Sequence, residues 1–237
     1  MANQTSGTRE TGLRFVQTSP VNGQPVETDD AVELRKQLAA FLGPFEGLRW
    51  VFVIGANGEW VGADGTSRSL STPEDFELLM AARGLSGAAI TSAKTAAAEQ
   101  LNQSALTSLL VVYGEGDPGG FPALEQTEPS KRPVHILRNQ GRWLSPTVIL
   151  NAAEQIAKAS GRQGLLLESG PTLARAFIQA GNLTQLVVSQ LDGVDANQAK
   201  VTLETSLGLA SDQLQLQASA QLGERHTVSI WKIAYQR

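Results

Sequence analysis

Cysteine is absent from the chain, which excludes disulfides and thiolate chemistry and leaves the redox compartment open. Histidine is nearly absent: only His135 and His226 occur, far apart and without ligand spacing, so no zinc site is expected. There is no Lys/Arg block among the 19 basic residues, and 23 acidic residues outnumber them for a net charge of −4. That balance argues against nucleic acid as a partner. No apolar run approaches the roughly 20 residues of a membrane-spanning helix. The polar start Met1-Ala-Asn-Gln-Thr-Ser-Gly7 also lacks the apolar centre of a signal peptide. The expectation is a cytosolic protein with neither membrane nor metal.

With 237 residues, 41% hydrophobic and 18% charged, the chain is long enough for one sizeable α/β domain with a large core. Its most informative stretch is Gly164-Leu-Leu-Leu-Glu-Ser-Gly-Pro-Thr-Leu-Ala-Arg-Ala-Phe-Ile-Gln-Ala-Gly181. Leu165–Leu167 is a short apolar run, as in a buried strand. Pro171 suits a first helical position, where its missing N–H costs nothing. Leu173, Phe177 and Ala180 recur at helical spacing, Gly181 supplies the stop, and Leu186–Leu191 reads as the next strand. Such a strand–turn–helix–strand crossover aims free backbone N–H groups at the carboxyl end of a sheet, a geometry that binds phosphate. Many such turns bind nothing, so local geometry leaves both readings open.

Along the rest of the chain, residues 1–27 are polar, with Pro20, Gly23 and Pro25, and are expected to run over the surface. Thr28, Asp29 and Asp30 can cap a helix carrying Val32, Leu34, Leu38 and Phe41, ended by Gly43-Pro44. Together these form an appendage, residues 1–47, to a main domain at 48–237. Trp50–Ile54 reads as a central strand, followed by a turn at Gly55-Ala-Asn-Gly58. Thr72 and Pro73 open a helix with Phe76, Leu79, Met80 and Arg83 along it, ended by Gly84. Arg83 reads there as solvated or as complementing the helix dipole. Ala88–Ile90 is a short strand leading through Thr91-Ser-Ala-Lys-Thr95 to a helix from Ala96. Leu109–Tyr113 is a further strand before a turn-rich loop at Gly114–Gly120, and Pro133–Leu137 another, with His135 as a core residue. Ser145-Pro146 opens a helix that Gly161 stops. After Leu191, Val201–Leu203, Leu214–Ala218 and Thr227–Tyr235 alternate apolar with polar and predict antiparallel edge strands. The fold class is α/β, with a mostly parallel sheet flanked by helices and antiparallel strands at its C-terminal end.

The turn Glu168-Ser-Gly-Pro-Thr-Leu173 resembles the Glu-Gly/Ala-Gly-Pro-Thr-Leu signature of the RibD C-terminal domain family. These are riboflavin-pathway pyrimidine reductases with a dihydrofolate reductase-like fold. Two further blocks agree in order. Gly55-Ala-Asn-Gly58 with Gly65-Thr-Ser67 and Ser71-Thr-Pro73 resembles the family's Ser-Leu-Asp-Gly block and the elements after it. Thr91-Ser-Ala-Lys-Thr95 with Glu99 resembles its second cofactor element. The likeness spans residues 48–236. Three positions depart from the pattern: Asn57 stands for the usual Asp, Val51 for a polar Lys or Asn, and Lys94 for a small residue.

The resemblance implies NADPH-dependent reduction of a phosphoribosylaminopyrimidine, with hydride passing from nicotinamide C4 to the ribosyl C1 carbon. It implies cofactor contacts from Thr91, Ser92, Ala93, Lys94 and Thr95 on one side, and from Ser169, Gly170, Pro171, Thr172 and Leu173 on the other. Glu168 and Asn57 fall at catalytic positions and Ser71 and Glu99 at substrate positions. Members pair as homodimers, and Trp231 and Tyr235 on the last strand suggest where a partner would bind. The first 47 residues contain neither His nor Cys, so no zinc deaminase unit is expected there. Two rival readings remain: a reductase of this fold with another substrate, and a catalytically degraded homologue that keeps a nucleotide site.

Overall fold

The computed structural model describes residues 13–19, 26–114, 128–139, 144–192 and 196–235. The turn-rich loop expected at Gly114–Gly120 lies outside them except for Gly114. One ten-stranded sheet runs through the molecule in the order β2-β1-β9-β10-β8-β3-β7-β4-β5-β6. Its parallel part comprises β3 (Leu48–Ile54), β4 (Ala88–Ser92), β5 (Ser108–Val112), β6 (Val134–Leu137), β7 (Leu165–Leu167) and β8 (Leu183–Leu191). β3, β4, β5 and β7 are almost wholly buried, as their continuous apolar runs require of strands covered on both faces. β10 (His226–Ile233), β9 (Leu214–Leu222), β1 (Leu13–Ser19) and β2 (Val26–Thr28) extend the sheet antiparallel beyond β8.

Helices cover both faces. α1 (Ala31–Leu42), α2 (Pro73–Leu85) and α3 (Ala93–Ala98) pack Leu34, Leu38, Leu78, Ala82 and Ala96 against Val51, Ala89, Leu166 and Val187. α4 (Pro146–Ser160), α5 (Pro171–Gln179) and α6 (Ala196–Leu207) pack Ile149, Leu173, Phe177 and Leu203 against Trp50, Leu167 and Val188. Each such large buried apolar side chain stabilises the fold by about 1.5–3 kcal/mol.

Several expectations need correction. Residues 13–19 and 26–42 are not an appendage. Arg14 and Phe15 pair with β2, Phe15 pairs with Leu222 of β9, and α1 is part of the second core. Buried Arg49 ties α1 down, its Nη2 donating to Leu42 O at 2.8 Å, and burial pushes its guanidinium down to about 10. Val201–Leu203 is helical, not extended. Ala199, Leu203 and Leu207 bury one stripe at i, i+4, i+8 while Val201 stays 60% exposed. On α2 the buried stripe runs through Asp75, Leu78, Ala81 and Ala82, and Phe76 faces solvent. Gly84 lies inside that helix, which ends at Leu85.

His135 is exposed on the outermost strand β6, not in the core. β9 and β10 are interior strands, since β1 and β2 cover β9. Trp231 is buried, with Nε1 donating to Ser229 Oγ, and Tyr235 donates its hydroxyl to Leu183 O. Trp231 therefore offers no outer surface to a partner, while Tyr235 stays half-buried. Among the described residues no helix is long and apolar enough to cross a membrane.

Candidate functional site

β7 and β4 lie side by side, with Ile90 beside Leu167, but their chains leave toward opposite faces. β7 continues into α5 on one face and β4 into α3 on the other. Divergence of neighbouring parallel strands opens a crevice at their carboxyl ends, where α/β sheets bind ligands.

The turn from β7 into α5 forms one wall. Glu168 N donates to Ile90 O at 2.8 Å, and Trp50 Nε1 donates to Ser169 O at 2.9 Å, fixing the turn to both neighbouring strands. Trp50 is itself clamped by stacking on Phe52, with centroids 3.9 Å apart. Gly170 is the N-cap of α5 and brings no capping side chain, so the first-turn N–H groups of Thr172 and Leu173 are left without a cap. Its φ of −65° suits any residue, so this glycine is not required by backbone conformation. What it leaves is space: nothing lies within 4 Å of where its Cβ would be. Ser169 Oγ is buried without a hydrogen-bond partner. An orphaned hydroxyl, an uncapped helix start and an open approach together fit a phosphate group. Thr172 stands exposed beside them, Pro171 is half-buried, and the Leu173 side chain belongs to the core, leaving only its backbone for a ligand.

The end of β4 forms the opposite wall. Thr91 and Ser92 complete the strand and the helix starts at Ala93, three residues earlier than the sequence suggests. Ser92 caps α3, its Oγ accepting from Thr95 N at 3.1 Å. Thr95 Oγ1 lies 2.9 Å from Ser92 Oγ and 3.4 Å from Gly170 N, joining the two walls. Thr91 Oγ1 is a second buried hydroxyl without a partner. Lys94 is exposed, and the Ala93 side chain is buried in the core.

Beside the turn lies a pairing that sequence reasoning missed. Arg83 Nε donates to Glu168 Oε1 at 2.7 Å and Nη2 donates to Oε2 at 2.5 Å, with side-chain exposures of 12% and 7%. Burial alone would lower the Arg83 guanidinium, but the charge and hydrogen bonds of Glu168 outweigh it and hold it above its usual value. Arg83 is thus neither solvated nor a dipole complement, and Glu168 is no solvated strand-end carboxylate. With both oxygens accepting from Arg83, Glu168 is arranged to accept and orient, not to supply a proton. The available signal was the position of Arg83 among the apolar residues of its helix, since a charge there requires a buried partner.

The remaining candidates occupy separate hydrogen-bond sets. Asn57 sits exposed in the Gly55–Gly58 turn, with Nδ2 donating to Glu59 Oε1 at 2.9 Å and its backbone N to Oε2 at 3.0 Å. The Asn57 hydrogen bond is the main cause that lowers the Glu59 carboxyl below its usual range. Both residues line a cleft of about 280 Å³ with Val61, Leu70 and Leu191. Glu99 Oε1 accepts from Ser67 N at 2.6 Å and from Ser67 Oγ at 2.9 Å, and so tethers the loop ahead of α2. Ser71 donates to Asp75 Oδ2. Val51 is buried under the sheet on the α2 side.

No protein-family model and no curated protein matches the chain. Solved structures do match. The chain is similar to a pyrimidine reductase-like protein from Corynebacterium diphtheriae, with TM-score 0.58 and 16% identity, covering 85% of this chain and 99% of that one. It is similar to a diaminohydroxyphosphoribosylaminopyrimidine deaminase/5-amino-6-(5-phosphoribosylamino)uracil reductase from Thermotoga maritima, with TM-score 0.56 and 11% identity. That match covers 85% of this chain and 60% of the other, so the chain corresponds to part of that protein's length. A dihydrofolate reductase from Enterococcus faecalis, complexed with NADP(H), matches with TM-score 0.50 and 8% identity, covering 80% of this chain and 97% of that one. With the strand order and the two helical layers, these likenesses make the fold that of the RibD C-terminal domain, a dihydrofolate reductase-like fold.

Proposed function

We propose that the chain is an NADPH-dependent reductase acting on a phosphoribosylaminopyrimidine of the 5-amino-6-(5-phosphoribosylamino)uracil type. The observation that carries this reading is the phosphate cradle at the start of α5, where buried Ser169 Oγ lacks a partner and Gly170 leaves the approach open. NADP(H) in a dihydrofolate reductase of this fold supports a nicotinamide cofactor. When bound, the cofactor would supply hydride for the ribosyl C1 carbon.

The chain's own residues would do the following. The free N–H groups of α5, Ser169 Oγ and the Thr172 hydroxyl would hold the pyrophosphate, and Lys94 would add charge at its edge. Thr91, Ser92 and Thr95 would line the other wall. Arg83 would keep the Glu168 carboxylate in one rotamer, aimed to accept from substrate donors, and Trp50 would hold the turn still. Preorganised groups of this kind need no rearrangement as the reaction proceeds.

Asn57, paired with Glu59, and the buried Val51 favour a second reading: a reductase of the same fold with a different heterocycle or carbonyl as substrate. The buried Arg83–Glu168 pair speaks against mere degradation, because burying two charges is costly and gains little stability by itself. A homodimer is proposed on the resemblance alone. Fluorescence titration with NADPH and NADH, then a turnover assay on the pyrimidine, tests the reading. Binding of NADPH with turnover is the expected result, and absence of NADPH binding overturns it.

A further inference from the structure

The short segment Leu70-Ser71-Thr72, which leads into α2, is gripped at each residue by a buried ionisable side chain. His226, the first residue of β10, is fully buried, and its Nε2 lies 2.9 Å from Leu70 O. A carbonyl oxygen only accepts, so Nε2 carries the proton. In the neutral imidazole Nδ1 is then an acceptor, and it stands 3.4 Å from the hydroxyl of Thr72. Asp75 holds the middle residue, its Oδ2 accepting from Ser71 Oγ at 2.5 Å.

Acidic residues in the first turn of a helix commonly face water and complement the dipole. Asp75 instead belongs to the buried stripe of α2. Ser71 from the loop, His226 from β10, Glu74 from its own helix and Ser189 from β8 surround it. The Ser189 hydroxyl is fully buried and lies toward the same carboxyl, outside good hydrogen-bond geometry. Burial pushes the Asp75 carboxyl above the usual range, against the opposing pull of the Ser71 hydrogen bond. Holding one loop turn does not require two buried ionisable groups, because backbone hydrogen bonds or a Gly–Pro turn would do it without the desolvation cost.

Ser71 itself is half-buried and reachable, and Leu70 lines the cleft that also holds Asn57 and Glu59. Its O–H is directed at Asp75, so the lone pairs of its oxygen are what remain for a ligand. We infer that Asp75 and His226 are a positioning pair that makes Ser71 a fixed hydrogen-bond acceptor, selecting a hydride-accepting ligand that presents an N–H or O–H donor there. The inference rests on the reductase reading and adds to it the polarity of one ligand contact.

The test has two arms. A long-range 1H–15N spectrum of the protein without ligands reads the imidazole tautomers. The chain has only two histidines, so His135→Gln identifies the His226 signal. The Nε2–H tautomer is expected at His226, and the Nδ1–H tautomer overturns the pair. In the second arm, Asp75→Asn and Ser71→Ala are assayed with NADPH and 5-amino-6-(5-phosphoribosylamino)uracil.

Each variant raises KM about 2- to 12-fold, the factor carried by a hydrogen bond to a neutral hydroxyl, and NADPH affinity stays unchanged. The double variant is no worse than either single one. Wild-type KM rises toward acid as Asp75 takes up a proton, and Asp75→Asn removes that limb. An unchanged KM and an unchanged pH profile in Asp75→Asn overturn the proposal. Failure of the wild type to bind NADPH is a separate result: it sinks the reductase reading and leaves the imidazole spectrum to decide the pair.

Discussion

The guanidinium of Arg83 and the carboxylate of Glu168, 85 positions apart in the chain, meet fork to fork at the carboxyl end of β7. One comes from the last turn of α2 and the other from the first residue after β7, so the pair fixes a helix to the strand end that leads into α5. Removing one partner leaves the other charged and buried. Arg83→Met is expected to cost about 3–5 kcal/mol of stability, whereas the double substitution Arg83→Met with Glu168→Leu costs much less. Urea unfolding of the three proteins checks this. Equal losses in single and double variants would show that the pair does not act as a unit.

Gly170 offers a cleaner probe of the proposed cradle. The Cβ of a valine there meets no heavy atom within 4 Å and the extended backbone suits it, so Gly170→Val is expected to fold, losing only about 0.5–1 kcal/mol at the cap. Its branched side chain occupies the approach to the free N–H groups of α5. NADPH affinity is expected to fall at least about tenfold, since a 1.4 kcal/mol loss suffices for that. Fluorescence titration reads it, and an affinity equal to wild type moves the cofactor elsewhere.

The departure at position 57 has a different meaning once Glu59 is seen beside it. Asn57 Nδ2 donates to Glu59 Oε1, so Asn57→Asp sets two carboxylates against each other instead of restoring a missing one. With its main lowering influence gone and a like charge in its place, the Glu59 carboxyl titrates at higher pH than in wild type. Carboxyl 13C NMR measures that shift. Turnover by Asn57→Asp is expected to be no faster than wild type, and adding Glu59→Gln should recover it. A faster single variant would mean that the carboxylate at 57 was the limiting feature after all.

Asp75 links the cleft to stability. Burial raises its carboxyl in the folded protein above the ordinary 3.8, so folding favours the protonated form. The stability it contributes is complete below 3.8 and is lost as pH rises through the raised value. Asp75→Asn, which never ionises, should therefore match the wild type in acid and exceed it at neutral pH. Melting curves from acid to neutral pH test this, and a variant less stable at neutral pH than in acid, relative to wild type, contradicts it.

Local pattern was enough for much of this protein. The apolar run Leu165–Leu167, the proline at the first helical position and the stripe through Leu173 and Phe177 defined β7, α5 and the turn between them, because each signal lies within a few residues of the next. The same held for β3, β4, β5 and the cap at Thr72. Non-local pairing decided the rest. β1 carries too few apolar residues to announce a strand, and it becomes one because β9 offers an unpaired edge. Val201–Leu203 alternates like a strand, yet burial of Ala199, Leu203 and Leu207 makes it helical. Arg83 and Glu168, Trp50 and Ser169, and His226 and Leu70 are separated by 85, 119 and 156 positions. Hydrophobic periodicity shows which face of an element is buried. It carries no record of which distant polar group waits on that face, and that is where the chemistry of this site resides.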